Sequence, residues 1–380
     1  MIPLPLLRGG RGRREVAGQY WASSDQTGWS EAGARPTSAA DGSTCPTGRD
    51  QGFRPVSIVT GFLGSGKTTL IRRVLRDPGF AKTAVIVNEF GEIGLDHELI
   101  ASSDETLLAL TTGCLCCAVR SDLVTTLLEL QSRREAGEIA YERVLIETSG
   151  LADPAPILQA LMTDADVARG YTLGTLLTIV DAVHGEAALN QHREARHQVA
   201  LADCLAFSKT DLTAPPDSLR ERLTALNPTA DLLMTAAMHP DAVFSSANPV
   251  SQRDRFASLP ATGARSPFLR AQHSDEIDTF TLQRDRPVPA LAVTLLLQAL
   301  AEHCGPRLLR VKGLVDIAEM PGRPAVIHGV QHVFSPPEFL ERWPSSNHTT
   351  RIVFITRAVP RHFPARLLDA IETEVRDESG

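Results

Sequence analysis

Apolar and polar positions alternate between two periods along residues 53–237. Short runs rich in Val, Ile and Leu are typical of buried strands, and the stretches between them carry apolar residues at helical spacing. Strands that alternate with helices predict an α/β fold, with a mostly parallel sheet flanked by helices. Ligands of such sheets bind beyond the carboxyl ends of the strands. The strand-like runs cover residues 54–60, 83–88, 107–110, 143–147, 173–180 and 202–207.

The pattern changes on both sides of this region. Residues 1–52 are rich in Gly, Ser, Thr and Arg without sustained periodicity, which predicts a disordered extension. Residues 238–275 carry Pro, Ser, Ala and Asp and predict a linker. Residues 276–376 contain one helix, several consecutive strands and a final helix, which predicts a smaller C-terminal α+β domain. Its predicted strands and helices cover residues 277–282, 288–303, 308–317, 325–334, 350–356 and 364–375.

A glycine-rich loop follows the first predicted strand. Residues 61–69 read GFLGSGKTT and fit G-x-x-x-x-G-K-[ST], with a predicted helix directly after them. In this geometry backbone N–H groups and a helix N-terminus surround a polyphosphate. Such a P-loop predicts an NTPase, whereas a merely structural turn would explain the glycines but neither Lys67 nor Thr68. The residues expected to bind the nucleotide here are Gly61, Gly64, Ser65, Gly66, Lys67, Thr68 and Thr69.

Two further stretches fit a nucleotide site. Ser208-Lys209-Thr210-Asp211 resembles N-K-x-D, in which the Asp carboxylate accepts from the N1–H and exocyclic amine of guanine and the Lys stem packs on the purine. This favours GTP over ATP, although a solvated turn is the alternative and Ser208 removes an amide that normally braces the loop. Glu147 ends a strand three residues before Gly150, which suits a Mg²⁺ contact and a backbone N–H to the γ-phosphate. We therefore predict catalytic roles for Lys67, Glu147 and Gly150, with Thr68 and Glu147 at Mg²⁺.

Three cysteines, Cys114, Cys116 and Cys117, lie within four positions at a predicted strand-to-helix junction. Thiolates are soft ligands that suit Zn²⁺, Cu⁺ or cobalt, and a helix N-terminus lowers thiol pKa values. We interpret this cluster as a transition-metal site. Buried structural cysteines are the alternative, and we apply that interpretation to Cys45, Cys204 and Cys304.

Composition narrows the class of protein. The chain is 43% apolar and 22% charged, with a net charge of −7, so no basic field favours nucleic acid or an anionic membrane. No apolar run approaches the roughly 18 residues of a membrane span, and the start does not fit a signal peptide. Crowded thiols without a secretory signal indicate a reducing compartment, so a cytoplasmic protein is expected.

Isolated polar residues allow two interpretations each. Asp181 follows a predicted strand and is expected either near the nucleotide or at a helix N-cap. Glu89, Glu92 and Asp96 lie in a loop that could bind Mg²⁺ or the transferred metal, or could simply be solvated. His328 and His332 lie four apart in one predicted strand and should share a face, where packing or a partner contact is favoured over metal binding.

Together these motifs resemble the CobW family of GTPases. The resemblance runs from about Val56 to Leu368 and includes the stretches GFLGSGKTTL, VNEFGEIGLDHELI, TTGCLCC, LIETSGLADPAPI, SKTDL and GLVDIAEMPGRPAVIHGVQHVFSPP. It implies a GTPase domain at 53–237 with a metal site at the three cysteines, and a CobW-like C-terminal domain at 276–376. It also assigns Lys209 and Asp211 to the base. The chain departs from many relatives at Ser208, where Asn is commoner, and in lacking their histidine-rich tract between the domains.

The expected function is a Mg²⁺-dependent GTPase that acts as a metallochaperone. GTP binding and hydrolysis would control binding of a transition metal, zinc or cobalt, and its delivery to a client metalloprotein or cofactor pathway. Hydrolysis should be slow without a partner, since no arginine finger or water-positioning glutamine can be assigned. A homodimer is left open. The alternatives are a P-loop ATPase or kinase acting on a small molecule, and a metal-binding regulator with a structural nucleotide site.

Overall fold

The first half of the chain folds around a parallel sheet. The computed structural model describes residues 53–88, 107–110, 116–244 and 277–377. Seven strands form the first sheet in the order β3-β2-β4-β1-β5-β6-β7, and every neighbouring pair is parallel. The strands are β1 (Arg54–Gly61), β2 (Thr83–Asn88), β3 (Leu107–Leu110), β4 (Arg143–Thr148), β5 (Tyr171–Asp181), β6 (Cys204–Ser208) and β7 (Asp231–Met234). The predicted α/β fold is confirmed, with β7 as a half-buried edge strand that the pattern did not indicate.

Helices cover both faces of this sheet. The neighbouring residues Ile58 and Val59 point to opposite faces of β1, and both are fully buried. Ile58 lies in a core with Leu127 and Leu158, and Val59 lies in a second core with Ile71. Burial on both faces is what an all-parallel sheet requires. The helices are α1 (Lys67–Leu75), α2 (Cys116–Glu135), α3 (Ala155–Thr163), α4 (Gly185–Gln191), α5 (Arg193–Leu201), α6 (Asp217–Leu226) and α7 (Pro240–Phe244).

The second domain is an antiparallel sheet with two helices. Its strands follow the order β11-β10-β9-β13-β8, and β12 pairs with β10. Leu296 and Leu300 of one helix and Leu368 of the other share a core with Val311 and Phe354 of the sheet. The predicted smaller α+β domain is therefore confirmed. Its elements are β8 (Ile277–Arg284), α8 (Ala290–Cys304), β9 (Leu308–Val315), β10 (Ala325–Val330), β11 (Val333–Phe334), β12 (Glu338–Phe339), β13 (Thr350–Arg357) and α9 (Phe363–Asp377).

The predicted segments on either side of the first domain lie wholly or partly outside the described residues. The expected extension at 1–52 lies outside the described residues. The expected linker at 238–275 begins with α7, whose residues Val243 and Phe244 are buried against the first sheet, and Thr175 Oγ1 donates to Val243 O at 2.7 Å. Residues 245–275 lie outside the described part of the chain. None of the helices that the structure describes has the length and hydrophobicity of a membrane span.

The predicted strand 325–334 is a hairpin, so the prediction that His328 and His332 share a strand face is wrong. Strand β10 ends at Val330, which pairs with Val333 in β11, and His332 lies in the turn between them. Gln331 adopts a left-handed φ of 55° without the glycine or asparagine that usually signals such a turn. Its side chain accepts a 2.9 Å hydrogen bond from Gln159 of α3. The turn therefore has no local sequence signal, but its residue Gln331 makes a contact between the two domains.

A buried ion cluster joins the two domains. Asp203, just before β6, accepts hydrogen bonds from Arg310 and Lys312 of β9, with Lys312 Nζ at 2.7 Å, and from the backbone N–H of Leu176 at 2.9 Å. Arg310 and Lys312 are 4% and 5% exposed. Burial alone would raise the pKa of Asp203, but the two cations outweigh it and lower the pKa. The carboxylate is therefore ionised and shared between two cations.

His328 adds a pH-dependent element to this cluster. It pairs with Lys312 across β10 and β9. Burial, and then the charges of Lys312 and Arg310, lower its pKa to about 3, although Asp203 opposes this. The folded protein therefore keeps His328 neutral at a pH where the unfolded chain takes up a proton.

We expect the free energy of unfolding to fall on acidification through His328. Its contribution is fully present above about pH 6.5 and is lost progressively towards pH 3, because only the unfolded state binds the proton in that window. Between pH 7 and pH 5 the loss is about 2 kcal/mol at most. Urea unfolding of the wild type and of His328→Gln at both pH values measures it. The exposed-histidine control, His303→Gln, should keep the wild-type pH dependence, and an identical dependence in His328→Gln would contradict the assignment.

Candidate nucleotide and metal site

The glycine loop connects β1 to α1 at the carboxyl end of the parallel sheet. Gly61 has a φ of 144°, and a Cβ there would lie 2.4 Å from the carbonyl oxygen of Ile179, so only glycine fits. Gly64 and Gly66 have φ values of 68° and 93°, in the left-handed region that favours glycine. Gly66 is the N-cap of α1, which begins at Lys67. The loop thus delivers its backbone to a helix N-terminus, the geometry that binds phosphate.

The Lys67 ammonium lies over this loop. It donates to the carbonyl oxygen of Gly61 at 2.9 Å and to that of Phe62 at 3.4 Å. The Lys side chain therefore folds back from the first turn of α1 onto the start of the loop. A polyphosphate bound in the loop would meet this cation, as the sequence motif predicts.

Thr68 and Glu147 are brought together, although they are 79 positions apart. Thr68 Oγ1 donates to Glu147 Oε1 at 2.7 Å. Glu147 is 3% exposed and lies opposite Val59 in the β1–β4 ladder, one strand from the glycine loop. Hydroxyl and carboxylate oxygens are the ligands that Mg²⁺ prefers, so this pair fits the predicted metal.

Gly150 packs directly against the glycine loop. A Cβ at Gly150 would lie 2.7 Å from the backbone nitrogen of Leu63, so the chain after β4 approaches the loop as closely as backbone allows. Gln198 of α5 holds this segment, because its Nε2 donates to the carbonyl oxygens of Gly150 at 3.1 Å and Ala152 at 3.0 Å. Gln198 was not among the residues predicted from the sequence. The available signal was a glutamine beside the buried Val199 in an amphipathic helix.

The predicted base-reading motif is linked to the same loop. Ser208 Oγ donates to the carbonyl oxygen of Ser65 at 2.6 Å, and this contact is buried. The amide of an asparagine is absent, but the shorter hydroxyl still braces the glycine loop. Thr69 and Asp211 are exposed. Lys209 has a left-handed φ of 55°, and its Nζ lies 2.7 Å from Asp181 Oδ2.

Asp181 holds Lys209 in place. Its Oδ1 also accepts from the backbone N–H groups of Val183 at 2.8 Å and His184 at 3.2 Å, in the turn before α4. His184, and not Asp181, is the N-cap of that helix. Burial tends to raise the pKa of Asp181, but the hydrogen bonds from Lys209 and the turn lower it. Asp181 is therefore not the N-cap residue of α4, and its position near the nucleotide stays a prediction.

The predicted metal residues lie mostly outside the described part of the chain. Helix α2 begins at Cys116, as the expected strand-to-helix junction requires, but the side chains of Cys116 and Cys117 and all of Cys114 lie outside the described residues. Glu89, Glu92 and Asp96 of the predicted acidic loop also lie outside the described residues. Within the ranges that the structure describes, no cluster of three or more His, Cys, Asp or Glu could hold a metal.

The remaining cysteines fit the structural interpretation where they are described. Cys204 and Cys304 are both buried. Burial raises the pKa of the Cys304 thiol, with Arg307 opposing it, so this thiol is not poised as a metal ligand. Cys45 lies outside the described residues.

Comparison with known proteins finds relatives of both domains. The family model described as CobW/HypB/UreG, nucleotide-binding domain, matches residues 55–234, and the Cobalamin synthesis protein cobW C-terminal domain matches residues 277–372. The zinc chaperone YjiA of Escherichia coli (strain K12) is 32% identical over 313 residues, which are 80% of this chain and 94% of YjiA. The zinc chaperone CobW of Pseudomonas aeruginosa is 37% identical over 188 residues, 41% of this chain and 49% of that protein.

A solved structure extends the similarity to the whole fold. The crystal structure of Zn(II)-bound YjiA GTPase from E. coli has a TM-score of 0.62 at 26% identity, covering 84% of this chain and 99% of that chain. Both domains of this protein thus have counterparts in one relative, in the same order along the chain. The chain belongs to the CobW family of proteins with a P-loop nucleotide-binding domain and a CobW C-terminal domain.

Proposed function

We propose that this protein is a Mg²⁺-dependent GTPase that serves as a metallochaperone. The observation that carries the proposal is the convergence of Lys67, the Thr68–Glu147 pair and Gly150 at one end of the parallel sheet. The relatives named zinc chaperones and the YjiA GTPase support both halves of it. GTP, rather than ATP, is the proposed nucleotide, because Asp211 offers a carboxylate to guanine.

Each residue of the site has its own proposed role in phosphoryl transfer. Lys67 neutralises charge on the β- and γ-phosphates, and the backbone N–H of Gly150 donates to the γ-phosphate as charge develops. Thr68 and Glu147 would hold Mg²⁺, which supplies further neutralisation of the phosphate oxygens. Gln198 positions the Gly150 segment through its two hydrogen bonds. Without an assigned arginine finger, hydrolysis is expected to be slow until a partner binds.

The metal cargo would be bound by Cys114, Cys116 and Cys117. Strand β3 ends at Leu110 and α2 begins at Cys116, so the segment that carries the thiols connects the carboxyl end of a sheet strand to a helix N-terminus. Three strand spacings separate β3 from β1, or about 14 Å, which loops at this edge can bridge. A γ-phosphate that orders these loops could bring the thiolates into coordinating geometry, and hydrolysis would release them.

Zinc is the favoured cargo and cobalt the alternative. Thiolate ligation suits both, and the named relatives are zinc chaperones. The recipient would be a client metalloprotein or a cofactor-assembly protein in the cytoplasm, and a homodimer is compatible with this role. The C-terminal domain has no assigned part in this cycle.

The test is the Zn²⁺ affinity of the purified protein with a non-hydrolysable GTP analogue and with GDP, each with Mg²⁺. We expect at least about a tenfold difference in Kd between the two states, since only differential affinity can shift the equilibrium. Replacing Cys114, Cys116 and Cys117 with serine should abolish it, whereas Cys45→Ser should not. Equal affinities would contradict the coupling.

The same preparation discriminates the alternatives. Displacement of bound GDP by ATP as readily as by GTP would favour a P-loop ATPase or kinase. Lys67→Ala should abolish the nucleotide-dependent change in Zn²⁺ affinity, and an unchanged metal release would favour a regulator with a structural nucleotide site.

A further inference from the structure

A second concave site lies between the two domains. It is a cavity of about 690 Å³, formed by the start of β5, the end of α3 and the residues after it, and by β9, β10 and residues 335–339 of the second domain. Asp181, at the far end of β5, is six residues from the cavity residue Thr175, or about 20 Å. The cavity is therefore at the amino end of the parallel sheet, away from the nucleotide site.

The inner wall of this cavity carries an excess of positive charge. Arg310, Lys312 and Asp203 all line it, and they are almost completely buried. One carboxylate thus faces two cations. His328 also lines the wall and contributes no charge, because it is neutral at pH 7. Buried charges in proteins are normally balanced by partners, so this wall favours a further negative charge.

Arg310 has a hydrogen-bond donor that is not used within the described part of the chain. Its Nη2 donates to Asp203 Oδ1, but its Nε is buried and has no hydrogen-bond partner among the described residues. A buried guanidinium N–H without an acceptor lowers the stability of the folded state, unless a ligand or water accepts from it. At the exposed mouth, Arg323 and Glu338 carry opposite charges and cancel, so the excess charge belongs to the interior.

The other walls would accommodate an organic molecule. The hydroxyl of Tyr171 is used elsewhere, because it donates to the carbonyl oxygen of Leu127 and contacts the hydroxyl of Tyr141. Tyr171 therefore contributes an apolar surface to the cavity. The volume lies within the range of small-molecule sites, about 300–1,000 Å³, and mixed apolar walls with a few convergent polar groups are typical of them. Further apolar walls come from Leu161, Met162, Leu173, Met320 and Phe339.

We propose that this interdomain cavity binds a small organic anion. Its oxyanion group contacts Arg310 and Lys312, and its apolar body lies against Met162 and Phe339. A carboxylate and a phosphate monoester share this chemistry. Because each domain supplies part of the wall, an occupant would also link the domains.

The probe is 8-anilinonaphthalene-1-sulfonate, a dye with an anionic group on an aromatic body, titrated against full-length protein saturated with GDP and Mg²⁺. N-phenyl-1-naphthylamine is its uncharged counterpart. Lys312→Met keeps the length of the side chain and removes the charge, so it should raise the Kd of the anionic dye about tenfold and leave that of the neutral dye unchanged. Equal effects on the two dyes, or none, would overturn the proposal.

A second pair of variants locates the dye without touching the ion cluster. Ala168 is exposed at the cavity lining, and Ala165 is exposed in the same turn but does not line it. Ala168→Trp should obstruct the cavity and weaken the anionic dye at least about tenfold, whereas Ala165→Trp should bind as the wild type does. Equal binding by both variants would place the dye elsewhere and refute the site.

Competition distinguishes the two kinds of anion. Benzoate and phenyl phosphate carry the same ring with a carboxylate or a phosphate, and GDP with Mg²⁺ keeps phenyl phosphate from the P-loop. Displacement of the dye by one of them identifies the preferred headgroup. Displacement by neither would contradict an oxyanion subsite.

Discussion

Replacing Glu147 with glutamine is expected to lower the rate of GTP hydrolysis by about 10²- to 10³-fold, the cost of removing one electrostatic element from a preorganised site. The carboxylate is 3% exposed and accepts the hydrogen bond of Thr68 Oγ1 at 2.7 Å. Glutamine keeps the shape of the side chain and loses the negative charge that would balance Mg²⁺. The variant should therefore fold normally and require a higher Mg²⁺ concentration for half-maximal activity.

Phosphate release at saturating GTP, titrated with Mg²⁺, measures this effect. The control is Glu142→Gln, which alters an exposed carboxylate paired with Lys82 just before the same strand. It should hydrolyse GTP at the wild-type rate with the wild-type Mg²⁺ requirement. A Glu147→Gln protein that retains activity within about twofold would remove Glu147 from the catalytic machinery.

The sequence was informative about the fold wherever local patterns coincide with the final structure. Ile58 and Val59 are both buried, so the continuous apolar run that predicted a strand also predicted a sheet covered on both faces. Gly61 was recognised from a motif, and its required φ explains the motif. The positions of Lys67 and Thr68 in the first turn of α1 were predictable because the same motif places them directly after the loop. Each of these features depends on neighbouring residues, which a single sequence displays.

The features that sequence analysis missed depend on contacts between distant segments. Gln198 is an ordinary helix residue until folding places its amide beside the carbonyl oxygen of Gly150, 48 positions away. The turn at Gln331 has no glycine signal, and its side chain contacts α3 of the other domain. Asp203 meets Arg310 across 107 positions. One polar residue in a strand or helix does not identify its partner, so such clusters become visible only in three dimensions.

Replacing Asp203 with asparagine is expected to lower the free energy of unfolding by about 3–5 kcal/mol, because it leaves two buried cations without their counter-charge. Asparagine retains an oxygen that can accept from the backbone N–H of Leu176, so the change isolates the lost charge. Arg310 and Lys312 are too deeply buried to recover full hydration. Urea unfolding at pH 7 measures the loss, and cleavage by a protease under native conditions should report weaker docking of the two domains.

The control is Asp278→Asn, which removes a carboxylate bonded to Arg361 at a partly exposed position of the second domain. Exposed pairs of this kind contribute about 0–1 kcal/mol, so the two variants should differ several-fold. Combining Asp203→Asn with Arg310→Met and Lys312→Met should restore most of the lost stability, since removing every member of a buried ion cluster is often nearly neutral. If the triple variant is less stable than Asp203→Asn alone, the packing of the two long side chains matters more than their charges, and the electrostatic account of the domain interface is wrong.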